Sequence, residues 1–122
     1  MGMPATVVFA LPPFDTGQYA GCEFHMASGD ATLLVRIDEA DPVTIAFRKV
    51  RWHRFTAPPN CEAAWIREAY FRLVEVSRSE ALDAFVATER SPIKAYRELH
   101  HFRIFLDETG CHEVFAEAAQ LR

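Results

Sequence analysis

The chain has little of what small folds most often lean on. Three cysteines, Cys22, Cys61 and Cys111, form an odd set, too few for the disulfide framework of a secreted scaffold. They read as reduced packing residues of a cytoplasmic protein. Five glycines and seven prolines in 122 residues exclude a collagen-like or low-complexity chain. No apolar run approaches the roughly eighteen residues of a membrane helix. The early run from Ala5 to Leu11 is short for a secretion signal, and no Lys or Arg precedes it. Thirteen basic residues against seventeen acidic ones leave a net charge of -4, without the cationic excess of a polyanion-binding protein.

What the chain does have is apolar mass. Half of its residues are hydrophobic, with 10 Phe, 3 Tyr and 2 Trp among them, so disorder is excluded. The length suits a single domain over residues 1–122 that buries enough surface to fold without disulfides or metal.

Strand signals dominate. Thr6 to Leu11 ends at Pro12-Pro13, and Cys22 to Ala27 leads into a tight Ser28-Gly29-Asp30 turn. In the next two segments Leu33, Val35 and Ile37, then Val43, Ile45 and Phe47, occupy alternate positions. That phase breaks after Phe47, where Val50 and Trp52 fall on even positions, so one extra residue near Arg48-Lys49 predicts a β-bulge or sharp bend. The strand then runs on to about Thr56. Cys61 to Glu68 is ambiguous between loop and helical turn, and Ala69 to Val76 reads as a strand.

One main helix follows, from Ser77 to about Glu89, with Ser77 and Glu80 as a capping box and Ser91-Pro92 as its stop. Leu82, Phe85 and Val86 form its apolar stripe. Leu99 to Leu106 and Cys111 to Glu117 form a hairpin around Asp107-Glu108-Thr109-Gly110. A four-residue turn with a glycine bulge places Asp107 opposite Cys111, Leu106 opposite His112 and Ile104 opposite Val114. Phe102, Ile104, Leu106, Val114 and Ala116 then share the core side, while Arg103, Phe105, Glu113 and Phe115 share the other. The expected fold is α+β: a bent, mostly antiparallel sheet of six to eight strands with the helix packed on one face.

Chemistry-bearing motifs are sparse. His100-His101 and Cys111-His112 are the densest potential metal ligands, but that register sets His101 and Cys111 about 20 Å apart at ~3.3 Å per residue. No C-x-x-C spacing accompanies them, so neither a metal nor another cofactor is expected. Cys22 and His25 lie on opposite faces of a strand and do not read as a nucleophile with its base. No carboxylate pair, phosphate loop or G-x-S-x-G pattern marks a catalytic site.

The remaining candidate is a basic, aromatic strand in which Arg48, Lys49, Arg51, Trp52 and Arg54 are the partner-binding residues. Such a strand suits an acidic protein partner. Single-stranded nucleic acid is disfavoured because no RNP-like, KH-like or helix-turn-helix pattern accompanies it. Its competing explanation is that the charges only protect an exposed strand from aggregation.

The segments Phe71 to Ser77, His100 to Asp107 and Gly110 to Ala116 resemble small uncharacterised bacterial proteins, some of them similar to immunity proteins of polymorphic toxin systems. That resemblance implies a single α+β domain that binds a protein and usually carries no catalytic site. A small protein-binding domain, immunity-like or regulatory, is therefore expected. The alternative is a ligand-binding domain or enzyme with a pocket between helix and sheet.

Overall fold

The computed structural model describes residues 5–88 and 98–122. Their order is β1 (Ala5–Ala10), β2 (Tyr19–Ala27), β3 (Asp30–Ile37), β4 (Val43–Arg48), β5 (Trp52–Thr56), α1 (Ala63–Ala69), β6 (Arg72–Val76), α2 (Glu80–Ala87), β7 (His100–Leu106), β8 (Gly110–Ala116) and β9 (Ala118–Leu121). The chain is α+β and its strand pairs are antiparallel, as expected. In place of a single bent sheet of six to eight strands, however, the described residues form nine strands in two sheets. One has the order β1-β6-β7-β8-β5 and the other β2-β3-β4-β9.

The two sheets enclose the core. Leu33, Val35, Ile45 and Phe47 from one sheet meet Leu73, Phe102, Ile104 and Leu106 from the other in one buried cluster. Period-two alternation is what allows this, since it sends every second residue of each strand to the same side. Full burial of each such side chain contributes about 1.5–3 kcal/mol, so this layer dominates the stability.

The sheets are joined by a continuous bent ribbon. β4 pairs with β9, and β5 pairs with β8. Between the pairs Arg48↔Ala118 and Trp52↔Phe115 the first strand advances four residues and the second three. That single extra residue is the bulge expected from the phase break after Phe47, and it turns one strand into two. Lys49 takes the left-handed conformation there, with φ 56°. Its N–H donates to the Asp30 carboxylate at 3.0 Å, while Glu117 N–H donates to the Arg48 carbonyl at 2.9 Å. The Ser28-Gly29 turn also matches expectation, with positive φ at both central residues as a type I′ hairpin requires.

Three local expectations are corrected. First, the helix is capped by Ser79, not Ser77: Ser79 Oγ accepts from Leu82 N–H at 3.0 Å. The turn after β6 needs Ser77 and Arg78 to reverse the chain, and Arg78 is left-handed at φ 52°. The expected end near Glu89 and the Ser91-Pro92 stop lie outside the described residues. Second, α1 makes a second helix from the segment read as ambiguous, and Ala69 belongs to it. Third, the β7–β8 hairpin register is shifted by one pair: Leu106 faces Gly110, Ile104 faces His112 and Arg103 faces Glu113. The face assignments survive, because a shift by a whole pair preserves alternation.

Both helices lie against the outer face of the five-stranded sheet. Trp65 and Ile66 of α1 pack on a second cluster formed by Ala69, Val74, Phe105 and Cys111. Phe85 of α2 meets Phe115 edge-on at 5.4 Å. Leu82, Phe85 and Val86 do form the inward stripe, but all three are only half-buried. The face that the hairpin turned away from the main core is therefore itself covered.

Gly110 gives the hairpin its sharpest constraint. Its φ is 134°, and an added Cβ would lie 2.4 Å from the Thr56 carbonyl oxygen on β5. Gly110→Ala is expected to destabilise the fold by about 3 kcal/mol or more. A urea midpoint equal to that of the unsubstituted protein would contradict this packing of β5 on β8.

Candidate functional site in the outer face of the five-stranded sheet

Alternation places His101, Arg103 and Glu113 on the outer face of β7 and β8, with Arg54 beside them on β5. Glu113 is wholly buried. Its Oε2 accepts from His101 Nε2 at 2.6 Å and from Arg103 Nη2 at 3.1 Å, and its Oε1 accepts from Arg54 Nη2 at 2.6 Å. A carboxylate stripped of water in this way requires partners for every lone pair, and these side chains supply them. Burial pushes the Glu113 carboxyl up. Hydrogen bonds from His101 and Arg54, with the Arg103 charge, outweigh that and bring it from 4.5 down to about 2.

The network reaches α2. Ser79 Oγ lies 2.6 Å from His101 Nδ1, and Ser79 and His101 are both buried. Above this floor the two helices leave a pocket of about 450 Å³, lined by Arg54, Arg103, His101, Glu113, Ser79, Trp65 and, from the helices, Glu62, Glu68 and Glu80. The Arg103 guanidinium sits 4.5 Å from the centre of the Trp65 ring, and Arg54 lies 6.0 Å from the same ring.

The residues of the basic strand are divided by the bend. Arg48 and Lys49 remain exposed at the corner, and the Arg51 side chain is also exposed. Trp52 is half-buried, stacked on Phe115 at 4.1 Å and met by the Arg54 guanidinium at 5.5 Å. Arg54 turns onto Glu113 and into the pocket. β5 is an edge strand of its sheet, as the protective explanation of its charges requires.

Other candidate pairs are not brought together. Cys22 Sγ lies 3.5 Å from His112 Nε2, while the exposed His25 has Glu23 as its neighbour at 3.9 Å. His112 is lodged among Phe24, Phe55 and His53, and burial, with the His53 charge, lowers its pKa from 6.5 to about 4. Among the described residues no group of three or more His, Cys, Asp or Glu side chains is placed to hold a metal ion. No helix among them is long and apolar enough to cross a membrane.

Ser79 and Glu113 were absent from the sequence-based candidates, His101 was weighed there only as a metal ligand, and Arg103 and Glu113 only as residues sharing the hairpin's second face. The available signal was the mixture of aromatic and charged residues on the hairpin's second face: His101, Arg103 and Phe105 on β7, Cys111, Glu113 and Phe115 on β8. Rings that large require a cover, and the charges between them then become buried. Comparison with protein-family models, with curated proteins and with solved structures finds no match.

Acid sensitivity follows from the two depressed groups. The unfolded chain protonates His112 near 6.5 and the folded chain only near 4, so stability is full above that window and falls as pH drops through it. Glu113 adds a second loss between 4.5 and about 2. Urea midpoints across pH should show both phases, and His112→Leu should flatten the upper one. An unchanged upper phase in His112→Leu would contradict the burial of that ring.

Proposed function

We propose that this chain is a small-molecule-binding domain that works through the pocket between its two helices and the outer face of the five-stranded sheet. One observation carries the reading: four polar side chains converge on the floor of a pocket of ligand size. An apolar floor would be at least as stable as this buried ionic cluster, so its presence in a cleft favours a functional role.

The charges indicate the class of ligand. Two guanidinium groups share the single Glu113 carboxylate, which leaves the floor with an excess of positive charge. Arg54 is half exposed and lines the pocket. Glu62, Glu68 and Glu80 give the helical walls the opposite sign. A small zwitterion, its carboxylate toward Arg54 and its ammonium group toward the helices, matches both signs, and Trp65 offers its body a flat apolar wall. Free amino acids are the simplest members of that class.

Calorimetric titration with a panel of free amino acids, with succinate and glycerol alongside, tests this reading. At least one amino acid should bind saturably, and Arg54→Gln should weaken it by about 10-fold or more, the value of a charge-assisted hydrogen bond. Glu113 keeps Arg103 and His101 in that variant, so the fold should persist. Absence of binding by every probe, or binding indifferent both to Arg54→Gln and to the pocket-filling Ala64→Trp, would contradict it.

A protein-docking role for the basic corner, of the immunity-like kind, is a second reading. It is favoured by the exposure of Arg48 and Lys49 at the bend and of Phe55 on the edge strand β5. It predicts a complex with the protein encoded by a flanking gene, formed more slowly at high salt and in Arg51→Glu. Co-expression of the flanking genes with no complex would count against it. Base stacking by Trp52 is disfavoured, since Phe115 already occupies a face of that ring.

A further inference from the structure

The hydrogen bonds that bind α2 to the sheet have a direction. Leu82 N–H donates to Ser79 Oγ, so the serine hydroxyl proton is free to point elsewhere, and His101 Nδ1 lies 2.6 Å away. Ionised Glu113 can only accept, so the His101 Nε2 at 2.6 Å carries a proton. In the neutral imidazole Nδ1 is then bare and accepts from Ser79. The chain runs from serine hydroxyl to imidazole to carboxylate, with the polarity of a hydrolytic triad. The two ring nitrogens merely exchange their usual partners.

The backbone places the serine as such chemistry needs. β6 ends, the left-handed Arg78 reverses the chain, and Ser79 stands at the start of α2. A strand, a tight turn, a serine and a helix are the order of a nucleophile elbow, although here the positive φ belongs to the preceding residue. Ser79, Glu80 and Ala81 all line the pocket. The N–H groups of Glu80 and Ala81, in the first turn, have no acceptor within their own helix.

We propose that Ser79 is the nucleophile of an acyl-transfer site for small esters, with His101 as its general base and Glu113 as the residue that positions the imidazole. This rests on the pocket reading and adds a reaction to it: the substrate is an ester whose remaining carboxylate reaches Arg54. Ser79 Oγ forms a bond to the acyl carbon and passes its proton to His101 Nδ1. The oxyanion that develops faces the N–H groups at the start of α2. Collapse breaks the ester C–O bond, and His101 returns the proton to the departing alcohol. Water then adds to the acyl-serine, again giving a proton to His101, which passes it back to Ser79 as the carboxylic acid leaves. Arg54 and Arg103 keep Glu113 ionised throughout, so the imidazolium formed in each step has its counter-ion in place.

Treatment of the folded protein with a small alkyl fluorophosphonate tests the assignment. Ser79 Oγ should displace fluoride, leaving one phosphonyl adduct that peptide mass mapping places on Ser79. Denaturation in urea before treatment should abolish it. His101→Gln, folded as judged by its urea midpoint, should slow adduct formation about 100-fold or more. An adduct on Ser79 of the native chain supports the proposal even if the variant fails to fold. No adduct, an adduct elsewhere, or equal labelling in folded His101→Gln would overturn it. Amino-acid binding measured on the same sample separates the two failures: a protein that binds without labelling has the pocket and lacks the nucleophile.

Discussion

The buried carboxylate of Glu113 is the constraint on which the outer half of this molecule depends. It ties β8 to β7 through His101 and Arg103, to β5 through Arg54, and to α2 through His101 and Ser79. Removing the carboxylate would leave the buried Arg103 guanidinium without its counter-charge, at a cost of about 3–5 kcal/mol. The helices are too short to be stable alone, and each needs the sheet to form at all. The sheet in turn leaves the carboxylate dry only because the helices cover it.

The two faces of the five-stranded sheet therefore follow different physics. The inner face is an apolar layer against the second sheet, set by alternation and tolerant of conservative exchange. The outer face mixes Phe105, Phe115 and Trp65 with two guanidinium groups, an imidazole and a carboxylate. Aromatic rings exclude water from the ions, and the ions give the rings oriented partners. A pocket left open above such a floor presents polar groups whose positions are already fixed. Ligand binding and acyl transfer both benefit from that, because no reorganisation is needed when charge arrives or develops.

Much of the fold could be read along the chain where a pattern has one physical cause. The alternation of Leu33, Val35 and Ile37 placed β3, and the break after Phe47 placed the single-residue bulge that carries the chain between sheets. It could not say that the strand would divide there, since the sheet that β5 joins depends on β8, far along the chain. β9 escaped notice because Ala-Ala-Gln-Leu has no strand signature and pairs with β4 only as the continuation of the bent ribbon. The cap expected at Ser77 falls at Ser79, because the turn after β6 takes up Ser77 and Arg78. The hairpin register was misplaced by one pair because Asp107-Glu108-Thr109-Gly110 suits either turn. Gly110 belongs to the strand, its positive φ fitted closely against Thr56.

The site itself was legible only in part. Arg54 was one of the five basic-strand candidates, expected there to dock a protein, and a pocket between helix and sheet was the alternative reading. Glu113, His101 and Ser79 come from three elements, and only the tertiary fold unites them. The most direct measurement of the account is therefore the protonation pattern of the His101 ring, read by long-range proton–nitrogen NMR at neutral pH. The network of Ser79, His101 and Glu113 predicts a proton on Nε2, hydrogen-bonded to Glu113, and Nδ1 accepting from Ser79. A proton resident on Nδ1, or a ring exchanging freely with solvent, would contradict it.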